Sequence, residues 1–175
     1  MKTNFKSILL TACAVIAMGM GNAVFATTAT SNMAVSANVS GDCTITANPL
    51  AFGSYDPITA NNSSGVDAVT TTNLFVTCTA NSSATITLGQ GLNAASGSSD
   101  DAPLRRMANG GGAFLNYSLY QDEGLSVTWG NTTDSGQAYT GTGFTTSVTV
   151  FGDTTRGQNV PAGAYADTVV ASITF

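Results

Sequence analysis

The side chains that most often carry nucleophilic or proton-transfer chemistry are scarce in this sequence. Its 175 residues include no histidine, which excludes Ser–His–Asp and Cys–His arrangements outright. Cysteine occurs as Cys13, Cys43 and Cys78, and lysine only as Lys2 and Lys6. The adjacent carboxylates are Asp100-Asp101 and Asp122-Glu123. Paired carboxylates can serve glycoside hydrolysis, but both dipeptides lie among turn residues, where solvated loop charge is the plainer reading. Neither has the Asp-x-Asp spacing of a calcium loop. Asn109–Gly112 lacks the Gly-Lys-Ser/Thr ending of a phosphate loop, and Gly141-Thr142-Gly143 precedes a strand-like run instead of a helix. Arg105-Arg106 can meet a neighbouring molecule's acids, or be solvated or paired locally. Tyr120 and Trp129 can offer a sugar-stacking surface, or fill a core. No catalytic, cofactor-binding or metal-ligating set emerges, and no enzyme is expected.

The first 26 residues read as an export signal. Lys2 and Lys6 form a positive n-region, Ile8 to Met20 a 13-residue, mostly apolar stretch, and Val24-Phe25-Ala26 a cleavage site. That stretch spans about 20 Å as a helix, against roughly 30 Å for a bilayer core. An anchoring helix is the poorer alternative. Cleavage after Ala26 removes both lysines and Cys13. Three arginines then face ten acids, for a net charge of −7. So little positive charge excludes nucleic acid as a partner, because such binding rests on phosphate neutralisation. Charged residues are 9% of the chain and hydrophobic ones 43%, the opposite of a disordered, self-repelling composition. In an oxidising compartment Cys43 and Cys78 most simply form one disulfide. A metal pair is the alternative, but with no histidine it lacks further ligands.

Period-two patterns must build the fold, since no convincing helical period occurs. Strand-like runs are Cys43–Ala47, Asn73–Thr79, Ala84–Gly89, Phe114–Tyr120, Ser126–Trp129, Phe144–Phe151 and Thr168–Phe175. Many are rich in Val, Ile, Thr and aromatics, and Asn/Ser/Gly clusters such as 61–65, 109–112 and 131–136 separate them. Short strands at such spacing predict an all-β antiparallel sandwich or barrel.

Two segments break the regular pattern. Thr27–Gly41 alternates over a long span before the first strand, with Met33, Val35, Ala37 and Val39 on one face. It is either a first strand of the domain's own sheet, a tail, or a strand meant for another molecule. At the other end Val169, Ala171, Ile173 and Phe175 form a one-sided apolar strand, with no charge or proline after Asp167 to blunt its edge. That strand lies inside the sheet, or its edge is completed from outside. A spare strand at one end and an open edge at the other point to strand exchange between subunits.

The motifs carry a resemblance. Gly41–Pro57 (GDCTITANPLAFGSYDP) resembles the opening signature of the spore coat protein U domain. It is followed in the expected order by Leu74–Thr79, Ala84–Gly91, Arg105–Asn109, Leu115–Asp122, Trp129-Gly130 and Pro161–Phe175. More narrowly, the chain is similar to the major rod subunits of Csu-type pili of the archaic chaperone–usher pathway. The resemblance implies an incomplete immunoglobulin-like antiparallel β-sandwich that is completed by a donor strand from a neighbouring subunit. It divides the chain into a signal at 1–26, a donor extension at 27–41 and a pilin domain at 42–175. Met33, Val35, Ala37 and Val39 would be the donor side chains, and Val169, Ala171, Ile173 and Phe175 the acceptor edge. A disulfide between the first strand and the next matches Cys43 and Cys78.

The implied function is structural: a homopolymer built by donor-strand exchange, used for surface attachment and biofilm formation. The implied partners are a periplasmic pilus chaperone, an outer-membrane usher, and minor and tip pilins. The implied route runs through the periplasm to the cell surface. A different class of function, a monomeric secreted carbohydrate-binding module whose N-terminal strand closes its own sheet, is the alternative.

Overall fold

The computed structural model describes residues 25–175. The export signal read over residues 1–26 therefore lies outside the described residues except at Phe25 and Ala26. The described chain is all-β, with no helix. Its strands are β1 (Cys43–Ala47), β2 (Ala68–Cys78), β3 (Ser83–Leu88), β4 (Arg105–Ala108), β5 (Phe114–Tyr120), β6 (Gln137–Thr140), β7 (Thr146–Thr154) and β8 (Ala171–Thr174). Two antiparallel sheets result, a five-stranded one in the order β1-β2-β7-β5-β4 and a three-stranded one in the order β6-β3-β8.

Side-chain alternation decides which residues meet between the sheets. Leu74, Val76 and Cys78 of β2 face inward with Tyr117 and Leu119 of β5 and Val150 of β7. Ala84, Ile86 and Leu88 of β3 supply the opposing layer. Each is under 10% exposed, and burying a large aliphatic side chain contributes about 1.5–3 kcal/mol. Trp129 is fully buried in this core, and its indole N–H donates to the carbonyl of Ile86 at 2.9 Å. Trp129 therefore offers no surface for a sugar.

Several sequence expectations are corrected. Ser126–Trp129 is not a strand, since Asp122 accepts the backbone N–H groups of Ser126 and Val127 and folds the segment into a turn. Only Thr128 touches a ladder, as a lone bridge to Tyr120. The run beginning at Phe144 enters its strand two residues later, because the Thr142 hydroxyl bonds both the N–H and the carbonyl of Phe144. Two short strands, β4 and β6, were not anticipated. Each is four residues long, too short for a legible period.

Cys43 and Cys78 lie directly opposite each other in the β1–β2 ladder and form a disulfide. The bond fixes β1 to β2 at the start of the domain. Replacing both cysteines by serine should lower unfolding stability by about 4 kcal/mol, from the entropy of the closed loop; denaturant titration under oxidising conditions reads the loss.

Asp153, near the end of β7, is 8% exposed and leaves Oδ1 without a hydrogen-bond partner. Burial, reinforced by the nearby carboxylate of Asp67, holds its pKa above the usual carboxylate range. The native state thus binds this proton more tightly than the unfolded chain, so the contribution of Asp153 to stability falls as pH rises through the window between the ordinary and the raised values. Asp56, Asp100 and Asp122, whose hydrogen bonds lower their pKa, act in the opposite sense. Asp153→Asn should abolish that fall and raise the thermal midpoint at pH 7; parallel melts of both proteins at pH 3 to 8 test it.

Candidate binding groove

The sandwich is closed on one side and open on the other. On the closed side, Ala108 of β4 and Ala166 exchange two backbone hydrogen bonds of 2.9 and 3.0 Å. The chain then crosses to β3, where Thr168 and Val170 accept the N–H groups of Leu92 and Gly89. On the other side, β1 ends the large sheet and β8 ends the small one. These two edge strands lie next to each other across the sandwich. Among the described residues neither has a strand on its outer edge.

Beside the end of β1 and the start of β8 opens a groove of about 380 Å³. Leu74, Leu88, Leu119 and Val150 from the core line it, together with Leu50, Phe52 and Met107. Ala47, Asn48 and Pro49 line it on the β1 side and Thr168, Val169 and Ala171 on the β8 side. Gly152 of β7 makes room for two of these linings, because a Cβ there would stand 2.7 Å from Leu50 Cδ2 and 3.1 Å from the Phe52 ring. A second hollow of about 480 Å³ lies where Phe175 and Thr174 meet Ala84 and Tyr139.

The acceptor residues named from sequence fall along these two cavities. Val169 and Ala171 line the first, Phe175 lines the second, and Ile173 packs against the core between them. The strand lies at the edge of its sheet, paired with β3 alone, not between two earlier strands. Residues 25–42 form no strand, and Met33, Val35 and Val39 are 84%, 83% and 81% exposed, with Ala37 exposed as well. The apolar stripe is thus unburied within its own chain.

The groove has a polar end. Tyr117 lines it and donates its hydroxyl to Asp167 Oδ2 at 2.7 Å. Burial, and then this bond to a carboxylate, push the phenol far above its usual range. Arg105, the direct ladder partner of Tyr117 across β4–β5, is 1% exposed. Its guanidinium donates to the carbonyls of Leu88, Gly89 and Trp129 at 2.7–2.8 Å. Desolvation lowers its pKa to about 10, so the group stays charged at neutral pH. Arg106 stacks 3.9 Å over the Phe114 ring and donates to the carbonyls of Asn93 and Ala94. Both arginines are thus committed within the chain, which corrects the reading in which they meet a neighbour's acids. The sequence held no signal for Arg105, since an Arg-Arg pair reads as surface.

Among the described residues no three His, Cys, Asp or Glu side chains gather as a metal site would require. The geometry is that of a strand-sized apolar slot. Comparison with known proteins adds the lineage: the model of the spore coat protein U domain matches residues 29–172. The chain belongs to the spore coat protein U domain family. Protein U of Myxococcus xanthus is 48% identical over 155 residues, covering 86% of this chain and 87% of that protein.

The fold has a counterpart in the crystal structure of the CsuC–CsuE chaperone–tip adhesion subunit pre-assembly complex from the archaic chaperone–usher Csu pili of Acinetobacter baumannii. A chain of that complex superposes with a TM-score of 0.52 at 20% identity. The match covers 78% of this chain and 40% of that one. The spore coat U fold of this chain is therefore the fold found in a chaperone–usher pilus assembly.

An open groove with a leucine-rich lining should bind an apolar reporter dye in the native state. Ala171→Trp, at the groove's edge, should fill it and cut the dye signal several-fold without unfolding the domain. Dye fluorescence beside far-ultraviolet circular dichroism reads both, and an unchanged signal would mean the dye sits elsewhere.

Proposed function

We propose that this protein is a structural pilin, the major rod subunit of an archaic chaperone–usher pilus, and that it polymerises by donor-strand exchange. The observation that carries the reading is a pairing of opposites in one chain. The folded domain has an unfilled apolar groove beside two unpaired strand edges, and the segment Thr27–Gly41 has an alternating apolar stripe with nothing to cover it. A strand from a second copy laid in the groove satisfies both needs. Its backbone pairs with the free edges, and Met33, Val35, Ala37 and Val39 exchange water for the groove's lining along Val169, Ala171, Ile173 and Phe175.

Each further subunit repeats the same contact in the same sense, so the interface does not close on itself and a filament results. Before assembly the open edge is an aggregation hazard. That liability calls for a periplasmic chaperone to cover the groove and an outer-membrane usher to exchange the cover for the next subunit's extension. Minor and tip pilins would complete the fibre. The protein is exported through the periplasm to the cell surface, where the fibres serve attachment and biofilm formation. The role is one of assembly, without catalysis.

Two proteins test the proposal, the chain without its signal and a rearranged one that begins at Asp42 and carries Thr27–Gly41 on a flexible linker after Phe175. The first should form oligomers on size-exclusion chromatography. The second should be a monomer that melts many degrees higher. A first protein that is already a stable monomer, weakened by rearrangement, would sink the pilin reading in favour of a secreted binding module. In cells, Val35→Asp or Val39→Asp should abolish fibres while secretion to the periplasm continues, and normal fibre yield would remove these residues from the donor.

A further inference from the structure

We propose that Arg105, Tyr117 and Asp167 form a polar brace on the closed side of the sandwich, and that this brace positions β8 so that the groove stands open for the extension of a second copy. The proposal rests on the reading of the groove as a strand acceptor.

The brace connects three separate pieces of chain. Arg105 belongs to β4 in the large sheet, yet its guanidinium reaches the carbonyls of Leu88 and Gly89 at the end of β3 in the small one. Leu88 is the ladder partner of Ala171, and Gly89 donates its N–H to Val170 at 2.9 Å. Holding the end of β3 therefore holds the start of β8. Asp167 fastens the same lip from the other direction. Its Oδ2 accepts the Tyr117 hydroxyl, and its Oδ1 accepts the N–H groups of Leu92 and Asn93 at 2.9 and 3.2 Å, with the Asn93 side-chain amide at 3.0 Å. Gly91 allows this approach, because it sits at φ +85° and a Cβ there would collide with the Asp167 carboxylate.

The need for such a brace follows from the groove itself. An apolar slot is under a constant drive to close, since removing its lining from water is favourable. Apolar packing has no direction and cannot oppose that drive, whereas buried charged hydrogen bonds are directional and costly to break. An apolar side chain at position 105 would leave the carbonyls of Leu88, Gly89 and Trp129 without this donor. Arg105 leaves Nη1 without a partner. What the arginine supplies is a fixed reach from one sheet to the other. Arg105 does not line the groove and is a positioning residue, whereas Tyr117 and Asp167 also line the groove's polar end.

The test uses the full chain without its signal carrying Val35→Asp, so that its own extension does not fill a neighbour's groove, and a fluorescently labelled peptide of sequence Thr27–Gly41, with binding followed by anisotropy and stability by thermal melting. Tyr117→Phe and Asp167→Asn should weaken peptide binding about tenfold, the loss of one bond to a charged acceptor. Ile86→Val, a core change in β3 outside the groove lining, serves as the comparison with a similar loss in melting temperature. If Ile86→Val weakens peptide binding as much as the brace variants do, or if Tyr117→Phe binds like the parent, the positioning role is wrong. If the parent itself fails to bind the peptide, the acceptor reading fails first and the brace falls with it.

Discussion

The constraint on which the rest of this molecule depends is a sandwich one strand short. Two sheets pack around Leu74, Val76, Ile86, Leu88 and Trp129, but the layer is not closed where β1 and β8 face each other. Along that line backbone donors and acceptors lack partners and the apolar lining meets solvent. Both deficits carry a free-energy cost.

The remaining features hold the two edges of that gap to their sheets. The disulfide between Cys43 and Cys78 holds one lip to the large sheet. Backbone bonds between Ala108 and Ala166, with the Tyr117 and Arg105 contacts, hold the other lip from the far side. Gly152 lets Leu50 and Phe52 lie against β7 and join the lining. Few charges enter this arrangement. Among the described residues the one ion pair joins Arg156 to Asp67 at 3.4 Å on the surface, where such a pair contributes little. Stability rests on apolar burial and on buried hydrogen bonds to carbonyls.

Strands whose inward residues are large and regularly alternating were legible from the chain alone. β1 and β5 match the expected runs residue for residue, because both combine β-branched or aromatic residues with sharp turn signals. β4 and β6 were not legible. Their side chains, such as Arg105 and Gln137, look solvent-facing, and only contact with neighbouring strands makes them part of a sheet. Leu50, Phe52 and Asp167 were missed as groove residues for a related reason: they lie in irregular segments where no period predicts a facing direction.

Composition and local pattern determined by themselves that this protein is built of strands, that histidine-based chemistry is closed to it, and that its first and last segments carry apolar stripes. Those are properties of residue type and of spacing along the chain, so they survive without a fold. The tertiary structure decided where the stripes go. It left the first one in solvent, set the last one at an open edge, and turned an apparent surface arginine into a buried link between sheets. Such outcomes depend on residues far apart in sequence, such as Arg105 and Leu88 or Tyr117 and Asp167, and no local pattern encodes a meeting that only the packing of two sheets brings about.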